Sequence, residues 1–238
     1  MRMRSLKNSL IPMYILIFIG MILVAAAGSQ AYTAFSETAI TDNRRTVIID
    51  AGHGGVDGGA TSCSGIPESQ INLEIALRLN DILQLLGMKT TMIRTTDCSV
   101  YTEGESIAAK KVSDLKNRVS TVNSNDNPLL ISIHQNYSPD GQYHGAQVFY
   151  NVKEGSADFA KNLQTLFVNT LNPGSNRKAK KASGIYLMEK VNCTAVLVEC
   201  GFISNLQEEQ LLRDAVYQKK LCCVVAAGCS TYLYGVNA

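Results

Sequence analysis

Thr46-Val47-Ile48-Ile49-Asp50-Ala51-Gly52-His53-Gly54-Gly55 sets the architecture of this chain. Its first half is a continuous apolar run, as expected of a strand buried on both faces of a sheet. Its second half is a glycine-rich turn that carries a histidine and runs on to Gly59. Pro67 and Glu68 then open a helix, with Ile71, Ile75, Leu79, Ile82 and Leu86 at helical spacing and Gly87 as its stop. Residues 90–94 read as the next strand. Strand, helix, strand predicts a parallel pair joined by a crossover.

The same alternation continues downstream. Residues 95–114 are polar and weakly patterned, and read as a surface loop, with a short helix over 115–122. Residues 129–134 and 146–150 read as the third and fourth strands, 157–171 as a helix, and 184–188 and 195–199 as further strands. Between them, 172–181 contains Pro, Gly and the cations Arg177, Lys178, Lys180 and Lys181, and reads as a solvated loop. Residues 206–234 are mostly helical, and no internal repeat is present. The predicted fold class is α/β: a single domain, 46–238, with a twisted, largely parallel sheet flanked by helices.

Composition narrows the function. The net charge is only +2, which gives no basis for nucleic-acid binding through dense phosphate neutralisation, and there is no Trp to supply a stacking platform. Arg2, Arg4 and Lys7 precede an apolar run over 10–27, followed by Gly28, Ser29, Gln30 and Ala31. Cations before an apolar stretch are the signature of export. Residues 1–31 therefore read as a signal peptide or an N-terminal membrane anchor, and 32–45 as a linker. The positive-inside rule places the body outside the cytoplasm in either case. The seven Cys (63, 98, 193, 200, 222, 223 and 229) include no C-x-x-C pair, so neither a disulfide framework nor a thiolate metal site is inferred. Cys222 and Cys223 lie in an apolar helical stretch and read as small buried hydrophobes.

Two of the three histidines stand at comparable places. His53 lies just past the first strand, and His134 ends the third in Ile131-Ser132-Ile133-His134-Gln135-Asn136. In open α/β sheets ligands bind at the carboxyl ends of strands. Glu68, at the start of the helix after the first strand, can return its carboxylate to that edge. Glu199 ends the very apolar Ala195-Val196-Leu197-Val198-Glu199, where a carboxylate is costly unless solvent, a cation or a proton partner is near. Two imidazoles and a carboxylate make a zinc set that leaves a fourth position to water, and a second carboxylate can move the proton. Each residue also has a plain reading: His53 in a loop, His134 as a satisfied core histidine, Glu68 as a helix-start charge favoured by the dipole. His144, between Tyr143 and Gly145, reads as a surface residue. Asp50 stands where it could orient His53.

At these residues the sequence resembles the zinc-dependent N-acetylmuramoyl-L-alanine amidases of the Amidase_3 type. Four blocks carry the resemblance: 47–55, Glu68-Ser69-Gln70-Ile71-Asn72-Leu73, Ser132-Ile133-His134-Gln135-Asn136 and Val198-Glu199-Cys200-Gly201-Phe202-Ile203-Ser204-Asn205. It implies cleavage of the amide between the lactyl group of N-acetylmuramic acid and L-alanine in peptidoglycan. It implies one Zn2+ held by His53, Glu68 and His134, with Glu199 as the catalytic glutamate, and it places a family arginine at Arg118. The layout, an export segment and a lone catalytic domain, is most similar to the germination-specific type that acts on spore cortex. There, stem-peptide removal precedes formation of muramic-δ-lactam. No wall-binding repeats flank the domain and no long insertion precedes Gly184, so control by a separate partner such as a lipoprotein is expected. Two other readings use the same residues: a non-catalytic peptidoglycan- or partner-binding protein, and a zinc peptidase cutting within the stem peptide.

Overall fold

The computed structural model describes residues 45–235. The expected export segment, and all of the expected linker but Arg45, lie outside the described residues. The elements in chain order are β1 (Val47–Ala51), α1 (Glu68–Leu85), β2 (Thr90–Met92), α2 (Ile107–Asn123), β3 (Leu129–Asn136) and β4 (Gln147–Tyr150). They continue as α3 (Ser156–Thr170), β5 (Lys180–Lys181), α4 (Tyr186–Lys190), β6 (Thr194–Phe202), α5 (Leu206–Arg213) and α6 (Ala215–Tyr234).

The six strands form one sheet in the order β2-β1-β3-β6-β4-β5. All neighbours are parallel except β4 and β6. The apolar run that opens the domain is the reason: every residue of β1 is buried, so the strand must lie inside the sheet with both faces covered. Alternation then sorts the side chains. Val47, Ile49, Ile131, Val196 and Val198 join α1, α3 and α6 in the larger core, while Ile48, Leu130, Ala195 and Leu197 join Val122, Leu187 and Met188 in the smaller one. Asp50, Ser132, His134 and Glu199 share the alternation phase of the smaller core. They occupy the carboxyl ends of β1, β3 and β6 just beyond it.

Three expectations need correction. Residues 184–188 are not a strand: β5 is the Lys180–Lys181 pair at the sheet edge, and Tyr186–Lys190 is a short helix. Ile185-Tyr186-Leu187-Met188 is a brief apolar run, and such a run buries equally well as one helical turn or as a strand. The second helix begins at Ile107 rather than 115, so the loop is shorter than expected. Its first turns are largely exposed and hence unpatterned, and its start is set by Ser106, whose side chain accepts a hydrogen bond from the Ala109 amide. Of the cysteine pair, Cys222 is buried but Cys223 is exposed; all seven cysteines are free thiols.

Candidate metal centre

β1 ends at Ala51 and the chain turns sharply through Gly52 and His53. His53 has φ 60°, a left-handed conformation that costs a residue with a Cβ about 1–3 kcal/mol, so its surroundings must hold it. Two contacts do so. Arg118 donates through Nη2 to the His53 carbonyl at 2.6 Å, and the His53 Nδ1 pairs with the Asp57 carboxylate at 3.0 Å. With Nδ1 committed to Asp57, Nε2 is turned inward, 3.4 Å from one oxygen of Glu68. The other oxygen of Glu68 lies 3.0 Å from Nδ1 of His134.

Glu68 is the first residue of α1 and is buried. Its oxygens also accept from the Ala60 and Gln135 amides and from Asn72 Nδ2, and Asn72 in turn donates to the Gly52 carbonyl. Burial raises its pKa, but the hydrogen bond and charge of His134, together with His53 and Asn72, outweigh that and hold it near about 2. The hydrogen bond from His53 likewise keeps Asp57 well below the usual carboxylate range. Burial works against a charged His134, yet Glu68, Glu199 and Asp50 raise its pKa.

One nitrogen of His53, one of His134 and one oxygen of Glu68 lie within 4.8 Å of one another. A tetrahedral zinc site with bonds of roughly 2.0–2.2 Å places its ligand atoms roughly 3.4 Å apart. The three ligand atoms are close enough to be drawn onto one such ion, and the donor set of two imidazoles and a carboxylate suits it. The site can therefore hold a metal.

Glu199 faces this cage from β6 as the direct register partner of His134. Its Oε2 is buried and has no hydrogen-bond partner among the described residues. Burial is the main cause that lifts its pKa to about 7; His134 opposes the shift and Glu68 adds to it. A cavity of about 230 Å³ opens over His53, His134 and Glu199, walled by Lys111 and Leu115 of α2 and by Tyr186 of α4.

Two arginines brace the turn. Arg118, buried in α2, pairs with Asp50 and with Asp114 and donates to the Ala51 carbonyl. Arg94, just past β2 and also buried, donates to the carbonyls of Ala51, Gly52, Ser69 and Thr96. The expectation that Asp50 orients His53 is corrected: Asp50 binds Arg118 and Ser132, and Asp57 makes the contact to the ring. Asp57 stands four residues past His53 in an irregular turn, so only its spacing could have drawn attention to it. His144 is exposed, and its carbonyl accepts from Arg177.

Gly52 is needed for space. A Cβ there would lie 2.2 Å from the His134 ring, with Cε1 and Nε2 both in its way. Gly52→Ala must therefore displace the imidazole, and a misplacement of about 1 Å can cost about 10²-fold in rate. We expect that loss together with reduced metal content, read by activity and elemental analysis of the purified variant. A variant with wild-type metal and rate would show that the ring has room to move.

A comparison with protein families matches residues 47–230 to Amidase_3, described as N-acetylmuramoyl-L-alanine amidase. Among curated proteins, the germination-specific N-acetylmuramoyl-L-alanine amidase of Bacillus subtilis is 37% identical over 190 residues, covering 79% of each chain. The LytC amidase of the same organism is 28% identical over 79% of this chain and 35% of its own length. Among solved structures, the CwlD amidase of Clostridioides difficile, in complex with the GerS lipoprotein, superposes with a TM-score of 0.77 at 36% identity, covering 81% of this chain and 100% of that one. An N-acetylmuramoyl-L-alanine amidase of Clostridium difficile 630 gives 0.69 at 29% identity, covering 82% and 100%. With a six-stranded, mostly parallel sheet, a His-Glu-His cage at its edge and a family match over most of its length, the chain belongs to the Amidase_3 family and is an N-acetylmuramoyl-L-alanine amidase.

Proposed function

We propose that the chain is a zinc-dependent amidase in which His53, Glu68 and His134 hold one Zn2+ and Glu199 moves the proton. The observation that carries this reading is the convergence of three ligand atoms within 4.8 Å beside a carboxylate oxygen that is buried and unpartnered. Zinc, when bound, polarises a carbonyl and lowers the pKa of water to about 7. Glu199, poised near neutrality by its burial, takes a proton from the attacking water and returns it to the leaving amine of L-alanine. Asp57 fixes the tautomer of His53 by accepting at Nδ1, which leaves the Nε2 lone pair for the metal. Lys111, 3.2 Å from Asp57, helps keep that acceptor charged.

Asp57→Asn removes the acceptor's charge while keeping its shape. We expect metal affinity to fall about 10–100-fold, measured by competition with a chromophoric chelator. An unchanged affinity would deny Asp57 the orienting role.

The substrate is peptidoglycan. We further assign the chain to spore cortex, where its removal of stem peptides precedes muramic-δ-lactam formation, and to control by a lipoprotein partner. The support is the germination-specific relative and the CwlD neighbour found with a lipoprotein. Residues 1–31 are assigned as a signal peptide or anchor, 32–45 as a linker and 46–238 as the catalytic domain. The cationic start and apolar run over 10–27 support an extracytoplasmic location for that domain.

Mass spectrometry of peptidoglycan digested by the full chain tests the reaction. Free stem peptides beginning at L-alanine are expected. Shortened stems would identify a peptidase instead, and the absence of products a binding protein. Zinc content and activity that do not respond to candidate lipoproteins would remove the partner from the assignment. A spore-forming host that lacks the gene and still makes muramic-δ-lactam would remove the cortex role.

A further inference from the structure

We propose that Glu208, in the first turn of α5, is a positioning residue for Glu199: one oxygen of its carboxylate fixes the end of the strand from which Glu199 projects. The inference rests on Glu199 as the group that moves the proton, as proposed above.

β6 loses its regular pairing on both sides just after Glu199. On the β3 side, His134 pairs with Glu199 and Asn136 with Phe202, so β6 advances three residues where β3 advances two. Such a bulge leaves one residue out of the ladder and bends the strand. On the β4 side, the last register pair toward the carboxyl end of β6 is Gln147 with Glu199. Past that pair the amides leading into β4 go elsewhere: Ala146 donates to Asn172 Oδ1 and Gly145 to Glu208 Oε2. The same Oε2 accepts from the Phe202 amide, and both bonds measure 2.8 Å. One side-chain oxygen thus stands in for a ladder carbonyl. It ties the entry of β4 to the last residue of β6 where their own pairing stops. Gly201 gives it room, since a Cβ there would lie 3.0 Å from this oxygen.

An acid in the first turn of a helix has a plain explanation in the helix dipole, which also covers Glu209 next to it. The dipole does not call for burial, yet Glu208 is only 8% exposed. Glu209 has a cation on its carboxylate, Arg213. Among the described residues, Glu208 forms no ion pair. Burial raises its pKa, and the Phe202 and Gly145 amides oppose that. A buried carboxylate without a cation is costly, so the two amides it holds are what explain it. Glu199 is the residue that gains. No hydrogen bond among the described residues tethers its Oε2, so the backbone beneath sets its aim. The bulge interrupts that backbone's ladder, and Glu208 supplies an anchor at Phe202. The three cage residues stand on other elements, the turn after β1, α1 and β3.

The test uses variants of the full chain. Glu208→Met keeps the side chain's length and removes the acceptor, whereas Glu208→Gln keeps an oxygen that can accept from both amides. Glu208→Met is expected to lower maximal stem-peptide release about 10²-fold, the loss typical of a misplacement of about 1 Å. The half-saturating peptidoglycan concentration and the zinc content are expected to stay at wild-type values. Glu208→Gln is expected to restore most of the rate. By NMR, the Gly145 and Phe202 amides are expected to exchange about tenfold faster in Glu208→Met and to stay protected in Glu208→Gln. Because Glu208 acts through Glu199, Glu199→Gln/Glu208→Met should be no slower than Glu199→Gln alone. Gln218→Leu controls for lost stability. Gln218 is buried and bonds Arg78, Glu74 and the Leu212 carbonyl, so its loss should lower the urea midpoint and leave turnover intact. If Glu208→Met fails to fold, Gly201→Ala, whose Cβ crowds Oε2, takes its place with the same expectations. Additive losses in the double variant overturn the inference, as does a Glu208→Gln variant as slow as Glu208→Met. So does an equal loss of turnover in Gln218→Leu. Wild-type release by Glu199→Gln overturns the assignment of Glu199 itself. An inactive Glu199→Gln beside a fully active Glu208→Met overturns the inference alone.

Discussion

Replacing Glu199 by Gln is expected to lower turnover about 10²–10⁴-fold while metal stoichiometry stays at the wild-type value. The amide keeps the size of the side chain and its place on β6, but it cannot accept a proton at neutral pH. Glu199 is not one of the three cage residues, so metal content should not follow activity. Stability should hold or rise, because the native carboxylate is buried with one oxygen unpartnered and the neutral amide relieves that cost. Three measurements on one preparation decide the matter: stem-peptide release, elemental zinc and a denaturant melt. Turnover at the wild-type rate would take the proton-transfer role away from Glu199. Loss of metal would move it into the cage.

The largest effect on stability is expected from Arg118→Met. Arg118 is 2% exposed and Asp50 1%, and the substitution leaves the Asp50 carboxylate buried with only Ser132 for company. Breaking a buried pair from one side typically costs about 3–5 kcal/mol. The Ala51 and His53 carbonyls lose a donor at the same time. Burial by itself would raise the pKa of Asp50, and Arg118 is the largest of the opposing influences that hold it below the usual range. In the variant Asp50 should therefore take up a proton more readily, and the deficit should be smaller at acid pH than at neutral pH. Urea unfolding followed by circular dichroism measures it, and Asp50→Asn/Arg118→Met should recover part of the loss. A single variant within about 1 kcal/mol of wild type would mean that the pair is not what holds the turn.

The sheet was legible because β1, β3 and β6 are buried on both faces, and that burial writes continuous apolar runs into the sequence. The same property exposed Glu199 and His134, since a polar residue that interrupts or ends such a run stands out. Elements whose contacts are one-sided or few were harder to read. α2 presents an exposed first half, and α4 is a single turn whose apolar residues fit either regular structure. The bracing of His53 was illegible for a different reason. Asp50 lies nearer in sequence, yet the turn at Gly52 and the left-handed His53 carry the ring away from it and toward Asp57. Arg94 offered no sequence signal either, because its partners are backbone carbonyls, and any residue supplies those.

The pairing of His134 with Glu199 across β3 and β6 has a consequence for how this protein can drift over generations. The interval between the two residues is set by the distance between hydrogen-bonded strands, a constant of the peptide group that no neighbouring side chain determines. Mutations that exchange one aliphatic residue for another beneath them alter packing and leave that interval alone. A one-residue slip of β6 would instead turn Glu199 to the opposite face in a single step. The interior is therefore free to be rewritten gradually, whereas the alignment of these two strands admits no intermediate and should be the last property of the fold to change.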